Sequence, residues 1–254
     1  MLDPTKRFSD RVEHYLKYRP TYPAEIIALL ESECGLTAES VIADMGSGTG
    51  LLTELFLKQG NSVLGVEPNQ EMRSAGEKIL AKYPKFTSVD AAAEATTLPD
   101  HSVDLVVAGQ AFHWFDREKG RAEFVRILKP AGWLMLVWNG FRIECKAVAD
   151  YQQVFQRYGT DYQEAIREIT DEEIQAFYEP GKCRRETFQN EQVFDFEGLK
   201  GRLLSMSYAP QPDHRDYEPM LQSLREVFDS NQKNDQVVIE YDTAVYYGQL
   251  DQVE

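Results

Sequence analysis

The sequence predicts an α/β fold built on a largely parallel sheet with helices on both faces. Short apolar runs alternate with amphipathic helical patterns between Val41 and Trp138, the signature of strand–helix–strand units. A glycine-rich turn, Gly46-Ser47-Gly48-Thr49-Gly50, directly follows the first apolar run. The chain closes on a polar–apolar alternation from Val237 to Tyr247, the mark of a half-exposed antiparallel strand. At 254 residues the chain suffices for one sizeable domain, 1–254, with its own core.

The elements follow in order. Phe8, Val12, Tyr15 and Leu16 recur at helical spacing, and Arg19-Pro20 stops that run because the residue before proline avoids the helical region. Pro23 and Glu25 open a second helix whose Ile26, Ile27, Leu29 and Leu30 face inward. Val41–Met45 is a short strand entering the glycine turn, followed by a helix carrying Leu51, Leu52, Leu55 and Phe56 and ended by Gly60. Ser62–Val66 is a strand that delivers Glu67, and Asn69 caps the next helix. Further strands fall near Phe86–Val89, Asp104–Ala108 and Gly132–Trp138, with a helix over Asp116–Leu128.

Past Asn139 the rhythm changes. Val148, Tyr151, Phe155 and Tyr158 mark one helix, Ile166 and Ile169 another, and Thr170-Asp171-Glu172-Glu173 is a capping-box sequence opening a third, stopped by Pro180-Gly181. Residues 140–182 therefore read as a helical insertion, a lid. Weak strand patterning resumes near Arg185–Phe194, then helices over Glu197–Met206 and Tyr217–Phe228 precede the last strand.

Composition narrows the function. Hydrophobic content of 43% and aromatic content of 11% belong to an ordered globular chain. The formal net charge of −15 opposes nucleic acid and anionic membranes, and no basic patch offsets it. A small-molecule partner is favoured, with neither nucleic acid nor membrane, and oligomeric state is unspecified. The start MLDPTKRFSDR lacks the apolar stretch of a signal peptide, so a cytoplasmic location is expected. Three widely spaced cysteines suggest neither a disulfide framework nor a metal site.

The glycines require a ligand. A dinucleotide fingerprint spaces them G-x-G-x-x-G and places an acid about twenty residues on; here the spacing is Gly46-x-Gly48-x-Gly50, with Glu67 ending the next strand. Asp44, at the entry to the turn, opposes a pyrophosphate and suits a ligand carrying an ammonium group. Glycines let a ligand approach the backbone with no Cβ in the way, and a carboxylate at Glu67 can accept two ribose hydroxyls.

With these features the run VIADMGSGTG, then VLGVEPN, AAAEATTLPDHSVDLVVAGQAFHWFD and RILKPAGWLMLVWN resembles the class I S-adenosylmethionine-dependent methyltransferases. It looks most like the small-molecule group of trans-aconitate and ubiquinone/menaquinone-biosynthesis enzymes. The motifs cover roughly residues 1–140; SMSYAP at Ser205–Pro210 and the last strand also look like one branch of that group. The resemblance implies a Rossmann-like, seven-stranded sheet, mostly parallel with an antiparallel last strand, and S-adenosyl-L-methionine as cofactor. By the same resemblance Asp44 helps bind the methionine end, and Gly46, Ser47, Gly48 and Gly50 of the turn, with Glu67, Pro68 and Met72, belong to the cofactor-binding set. Ala93 and Glu94 lie near the adenine, where Ala92 replaces the aspartate of many relatives, and Gln110 follows the fourth strand. Residues 1–22, with Tyr15, Tyr18 and Arg19, resemble the family's cover over the cofactor.

His113 is the candidate catalytic base, since histidine titrates near neutrality; alternatively His113-Trp114 is a packed pair closing the sheet edge. Arg184 and Arg185 are candidates for an anionic substrate, although neighbouring strand residues face opposite ways. The expected reaction is direct in-line displacement at the cofactor's methyl carbon by a small-molecule acceptor, without a metal. A nicotinamide-dependent oxidoreductase and a catalytically inactive S-adenosylmethionine-binding protein are the alternatives.

Overall fold

The computed structural model describes residues 17–160, 162 and 169–250. Most of the expected N-terminal helix, with Tyr15, and Ile166 of the expected lid lie outside them. The chain order is α1 (Glu25–Cys34), β1 (Val41–Met45), α2 (Leu51–Lys58), β2 (Ser62–Val66), α3 (Gln70–Leu80), β3 (Phe86–Val89), β4 (Val103–Gly109), α4 (Arg117–Ile127) and β5 (Leu128–Phe141). Then come α5 (Lys146–Tyr158), α6 (Asp171–Tyr178), β6 (Cys183–Phe194), α7 (Phe196–Leu204), α8 (Tyr217–Asn231) and β7 (Val237–Gly248).

The seven strands form one Rossmann-like sheet in the order β3-β2-β1-β4-β5-β7-β6. Only β7 runs against the others, pairing antiparallel with β5 on one side and β6 on the other. The expected strands at Val41–Met45, Ser62–Val66 and Phe86–Val89 are present to the residue. The edge strand β6 is stronger than its sequence suggested. Its residues are polar on both faces because it lies at the sheet margin, and twelve paired residues with β7 hold it there.

Local chemistry sets the helix ends. Asn69 Oδ1 accepts from Met72 N at 2.8 Å to start α3, and Asp116 Oδ1 accepts from Lys119 N at 3.2 Å to start α4. The capping box forms as the sequence implies: Thr170 Oγ1 accepts from Glu173 N at 3.2 Å, and Glu173 Oε2 accepts from Thr170 N at 3.1 Å. Ile169 precedes this helix rather than belonging to one.

Three apolar clusters cover the sheet. One face packs on Ile26, Leu30, Leu52 and Phe56 of α1 and α2, and the other on Phe124 and Ile127 of α4 with Ile174, Phe177 and Tyr178 of α6. The third lies among α5, α7 and α8, where Tyr151, Phe155, Leu203, Leu224 and Phe228 meet Val237, Ile239 and Tyr241 of β7. The segment 140–182 thus divides. Its first helix joins the covering body with α7 and α8, whereas α6 packs on the sheet, with Tyr178 Oη donating to Leu134 O (3.2 Å) or Tyr246 O (3.1 Å) of β5 and β7. No helix among the described residues is long and apolar enough to cross a membrane.

The loop after β3 is fixed by one acid. Glu123 of α4, 9% exposed, accepts from Thr96 N at 2.7 Å and Thr96 Oγ1 at 2.5 Å, while Arg126 donates to both of its carboxylate oxygens at 2.7 and 2.8 Å. The Arg126 guanidinium and the Thr96 donors hold its carboxyl down at about 2. A depressed acid stabilises the fold above its unfolded value and loses that contribution as pH falls through the folded one. Glu123→Gln is therefore expected to cost about 2–3 kcal/mol at neutral pH. In urea unfolding, the difference from wild type should shrink as pH falls from the ordinary carboxylate range toward about 2; a pH-independent difference would remove Glu123 as the clamp.

Candidate functional site

The strand order reverses between β1 and β4, and an open sheet admits ligands beyond the carboxyl ends of its strands at such a point. A cavity of about 800 Å³ opens there, within the usual size of a ligand pocket. Its walls come from the turn after β1, the ends of β2, β4 and β5, and the covering helices, which contribute Gln152 from α5 and Arg202 from α7.

Glu67 stands at the end of β2, 8% exposed. Its Oε2 accepts from Gly48 N at 2.9 Å and its Oε1 from Asn69 N at 2.8 Å. Each oxygen retains a lone pair for a further donor. Burial pushes the carboxyl up, while the two backbone N–H groups and nearby Arg73 pull it down. Asp44, in β1, is 1% exposed. Thr53 Oγ1 donates to its Oδ2 at 2.6 Å, but Oδ1 has no hydrogen-bond partner among the described residues. Burial, opposed by the Thr53 bond and reinforced by the Glu67 charge, raises the Asp44 carboxyl to about 7.

Most of the expected site residues meet in the cavity: Arg19, Gly46, Gly48, Glu67, Pro68, Met72, Ala93, Glu94, Gln110 and His113 all line it. Gln110 leaves β4 with φ +57, a conformation that costs energy in a non-glycine residue and concentrates at ligand sites. Its Nε2 donates to Asn139 O at 3.1 Å. Glu94 is committed by Asp116 N, which donates to its Oε1 at 2.7 Å. His113 sits in a single 3₁₀ turn, Phe112–Trp114, whose Phe112 is fully buried against Phe177 with ring centroids 4.6 Å apart. That anchor holds His113 on the wall, its ring 4.7 Å from that of Trp114; the packed pair forms, and His113 also lines the cavity.

Four expected residues are not on the wall. Asp44 is buried in the strand. Ser47 turns its hydroxyl toward β2, so that a Cβ on Gly65 would lie 3.1 Å from it. Gly50, φ +88, lets the turn meet α3, since a Cβ there would lie 2.5 Å from Leu80 Cδ1. Tyr18 packs on Gly201 of α7, and its carbonyl accepts from Gln192 Nε2 at 3.2 Å. Of the arginine pair, Arg185 lines the cavity, bonded to Asp171 at 3.1 Å, whereas Arg184 pairs with Glu33 outside it. Sequence reasoning missed Trp138, Phe141, Arg202, Tyr208 and Tyr246, which line the far half of the cavity. The aromatics of β5 and β7 carry a signal in their density along those strands; Arg202 stands on a mixed-charge helix and carries none.

Residues 43–136 match the family model described as a methyltransferase domain. An uncharacterized methyltransferase-like protein of Schizosaccharomyces pombe is 28% identical over 245 residues, covering 95% of this chain and 94% of that protein. A second, uncharacterized methyltransferase of the same organism is 36% identical over 135 residues, which make up 53% of each chain; this chain thus aligns with about half the length of such relatives. Among solved structures, a type II methyltransferase candidate of Anaeromyxobacter dehalogenans superposes with a TM-score of 0.68 at 20% identity, covering 92% of this chain and 98% of that one. The Haemonchus contortus phosphoethanolamine N-methyltransferase 2, in complex with phosphomonomethylethanolamine and S-adenosylhomocysteine, gives a TM-score of 0.60 at 15% identity, covering 99% of this chain and 59% of that one.

Asp44 also yields a pH signature. An acid raised by folding contributes stability fully below its unfolded value, and that contribution is lost as pH rises through the folded value. Relative to Asp44→Asn, the wild type should lose on the order of 4 kcal/mol of unfolding free energy between the ordinary aspartate range and about pH 7, and change little above that. Denaturant titrations at stepped pH measure this; parallel curves would mean that Asp44 is ionised throughout.

Proposed function

The chain carries the core domain of the class I methyltransferases, and on that premise we propose that it transfers a methyl group from S-adenosylmethionine to a small-molecule acceptor. The observation that carries this is Glu67, whose buried carboxylate faces the cavity with both oxygens positioned by backbone N–H groups. Such a group suits the two hydroxyls of a ribose. The glycine backbone at Gly46 and Gly48 on the same wall fits the close approach of an amino-acid moiety. The unpartnered Oδ1 of Asp44 lies next to that turn on a carboxyl that burial keeps partly protonated near neutrality; a nearby ammonium would favour its ionised form and a pyrophosphate would oppose it. This favours S-adenosylmethionine over a nicotinamide dinucleotide.

When bound, this cofactor supplies a methyl group on a sulfonium, already an activated electrophile. What remains for the chain is positioning. Glu67 fixes the ribose, Pro68 and Met72 flank it, and the Ala93–Glu94 loop, pinned by Glu123 and Asp116, provides the adenine wall. Arg19 and Gln110 contribute further polar groups to the cavity wall. Trp138, Phe141, Tyr208 and Tyr246 wall the acceptor half and exclude water. His113 takes the proton of an acceptor that must lose one. The fold of the Haemonchus enzyme, which holds S-adenosylhomocysteine, supports the cofactor assignment. The net charge of −15 opposes nucleic acid, which favours a small acceptor.

Calorimetry with S-adenosylhomocysteine tests the reading. Glu67→Ala should weaken binding by about 2–3 kcal/mol, as loss of charged hydrogen bonds does; full affinity in a folded variant would reject Glu67 as the ribose ligand. His113→Gln should leave that affinity nearly intact and lower turnover roughly 10²-fold. An unchanged rate would leave His113 as wall alone.

A further inference from the structure

Tyr246 of β7 lines the acceptor half of the cavity and is 6% exposed. Its ring meets Trp138 edge to face, with centroids 5.8 Å apart. Its hydroxyl donates to Asp171 Oδ1, in the first turn of α6, at 2.5 Å. Asp171 Oδ2 in turn accepts from Arg185 Nη1 at 3.1 Å, and the Arg185 guanidinium lies 5.5 Å from the Tyr246 ring centroid. Ile169 and Ile174, on either side of Asp171 in sequence, line the cavity together with Arg185. The hydroxyl therefore sits at the cavity margin, between the wall and an exposed carboxylate.

The direction of that bond decides what the oxygen can offer. An ion-paired carboxylate accepts hydrogen bonds and donates none, so the phenolic proton is committed to Asp171. Burial, with the hydrogen bond and charge of Asp171, keeps that proton on Tyr246 against the pull of Arg185. What remains on the oxygen is acceptor capacity. The arginines on the same wall, Arg19, Arg185 and Arg202, supply donors alone. A neutral acceptor beside an aromatic wall complements a neutral donor, a hydroxyl or an N–H group. An ether or a fully substituted amine would meet it lone pair to lone pair and leave the oxygen unpaired.

We propose that Tyr246 determines specificity for the methyl acceptor by accepting a hydrogen bond from a hydroxyl or N–H group on it. The ligand's identity as methyl acceptor rests on the methyltransferase reading; the direction of the bond does not. The role is binding and orientation, and no proton leaves Tyr246. The Trp138 and Tyr246 rings suit an aromatic or other apolar body next to that donor. Alcohols, phenols and arylamines fit; ethers and fully substituted amines do not.

The test is ligand titration followed by NMR on the full chain, with and without saturating S-adenosylhomocysteine. The probes are phenol against anisole, benzyl alcohol against benzyl methyl ether, and aniline against N,N-dimethylaniline. Each donor should bind the wild type about fivefold tighter than its methylated partner, the scale of one neutral hydrogen bond. Tyr246→Phe should erase that preference while keeping the affinity for the methylated probes and for S-adenosylhomocysteine. Asp171→Asn should narrow or reverse it, because an amide can donate to Tyr246 and free the phenolic proton for an ether oxygen. Equal binding of both members of each pair by the wild type, no binding of any probe, or an undiminished preference in Tyr246→Phe overturns the proposal. Joint weakening of both members in Tyr246→Phe marks the residue as structural and overturns it too. If Tyr246→Phe fails to fold, Asp171→Asn decides, and an unchanged preference there is fatal. Failure of the wild type to bind S-adenosylhomocysteine strikes instead at the methyltransferase reading, and the probe pairs without it still report on Tyr246.

Discussion

The Glu67 carboxylate is the interaction on which the site depends. One oxygen receives the N–H of Gly48, in the turn after β1, and the other receives that of Asn69, at the start of α3. A single side chain thereby ties together the two loops that open at the sheet's reversal point. Asn69 in turn caps α3, and α3 carries Leu80 against Gly50. The turn, the cap and the helix packing therefore share one anchor. Because each oxygen has spare acceptor capacity, the anchor can also bind a ligand without giving up its structural bonds.

Concentrating acids in a dry place has a cost, and the fold distributes it. Asp44 and Glu67 lie close enough for the charge of one to raise the other. Glu67 is compensated by backbone donors; Asp44 has one hydroxyl and an unpartnered oxygen. At the opposite end of the cavity Arg202 is buried among hydroxyls and rings. The cavity is thus negative where the strands of the first half end and positive beneath the covering helices. In our reading the negative end suits a cationic cofactor.

The covering body depends on the length of the last strands. β6 and β7 pair over twelve residues, and β5 continues past β4 to Phe141. These extensions form a floor for α5, α7 and α8, so the cover grows out of the sheet itself. The segment before α1 is joined to it, through Arg19 to Ser205 O and through Gln192 to the Tyr18 carbonyl. Residues far apart in sequence consequently close one wall.

By itself the sequence determined the sheet, its helices and most of the residues that line the first half of the cavity. Local rules suffice there: Asn69 caps its own helix, Thr170 and Glu173 form their own box, and the glycine turn is separated from Glu67 by one helix and one strand. Short-range spacing encodes such relations directly. Only the tertiary structure decided which expected residues line the cavity. Ser47 and Gly50 belong to the turn by spacing, yet one turns toward Gly65 and the other serves Leu80, choices made by neighbours outside the motif. It also divided the segment 140–182, because the apolar faces of α5 and α6 find different partners, and it brought Arg202 beside Tyr241 and Phe141. Long-range pairing of β5 with β7 creates that neighbourhood, and no local periodicity records which strands will lie together.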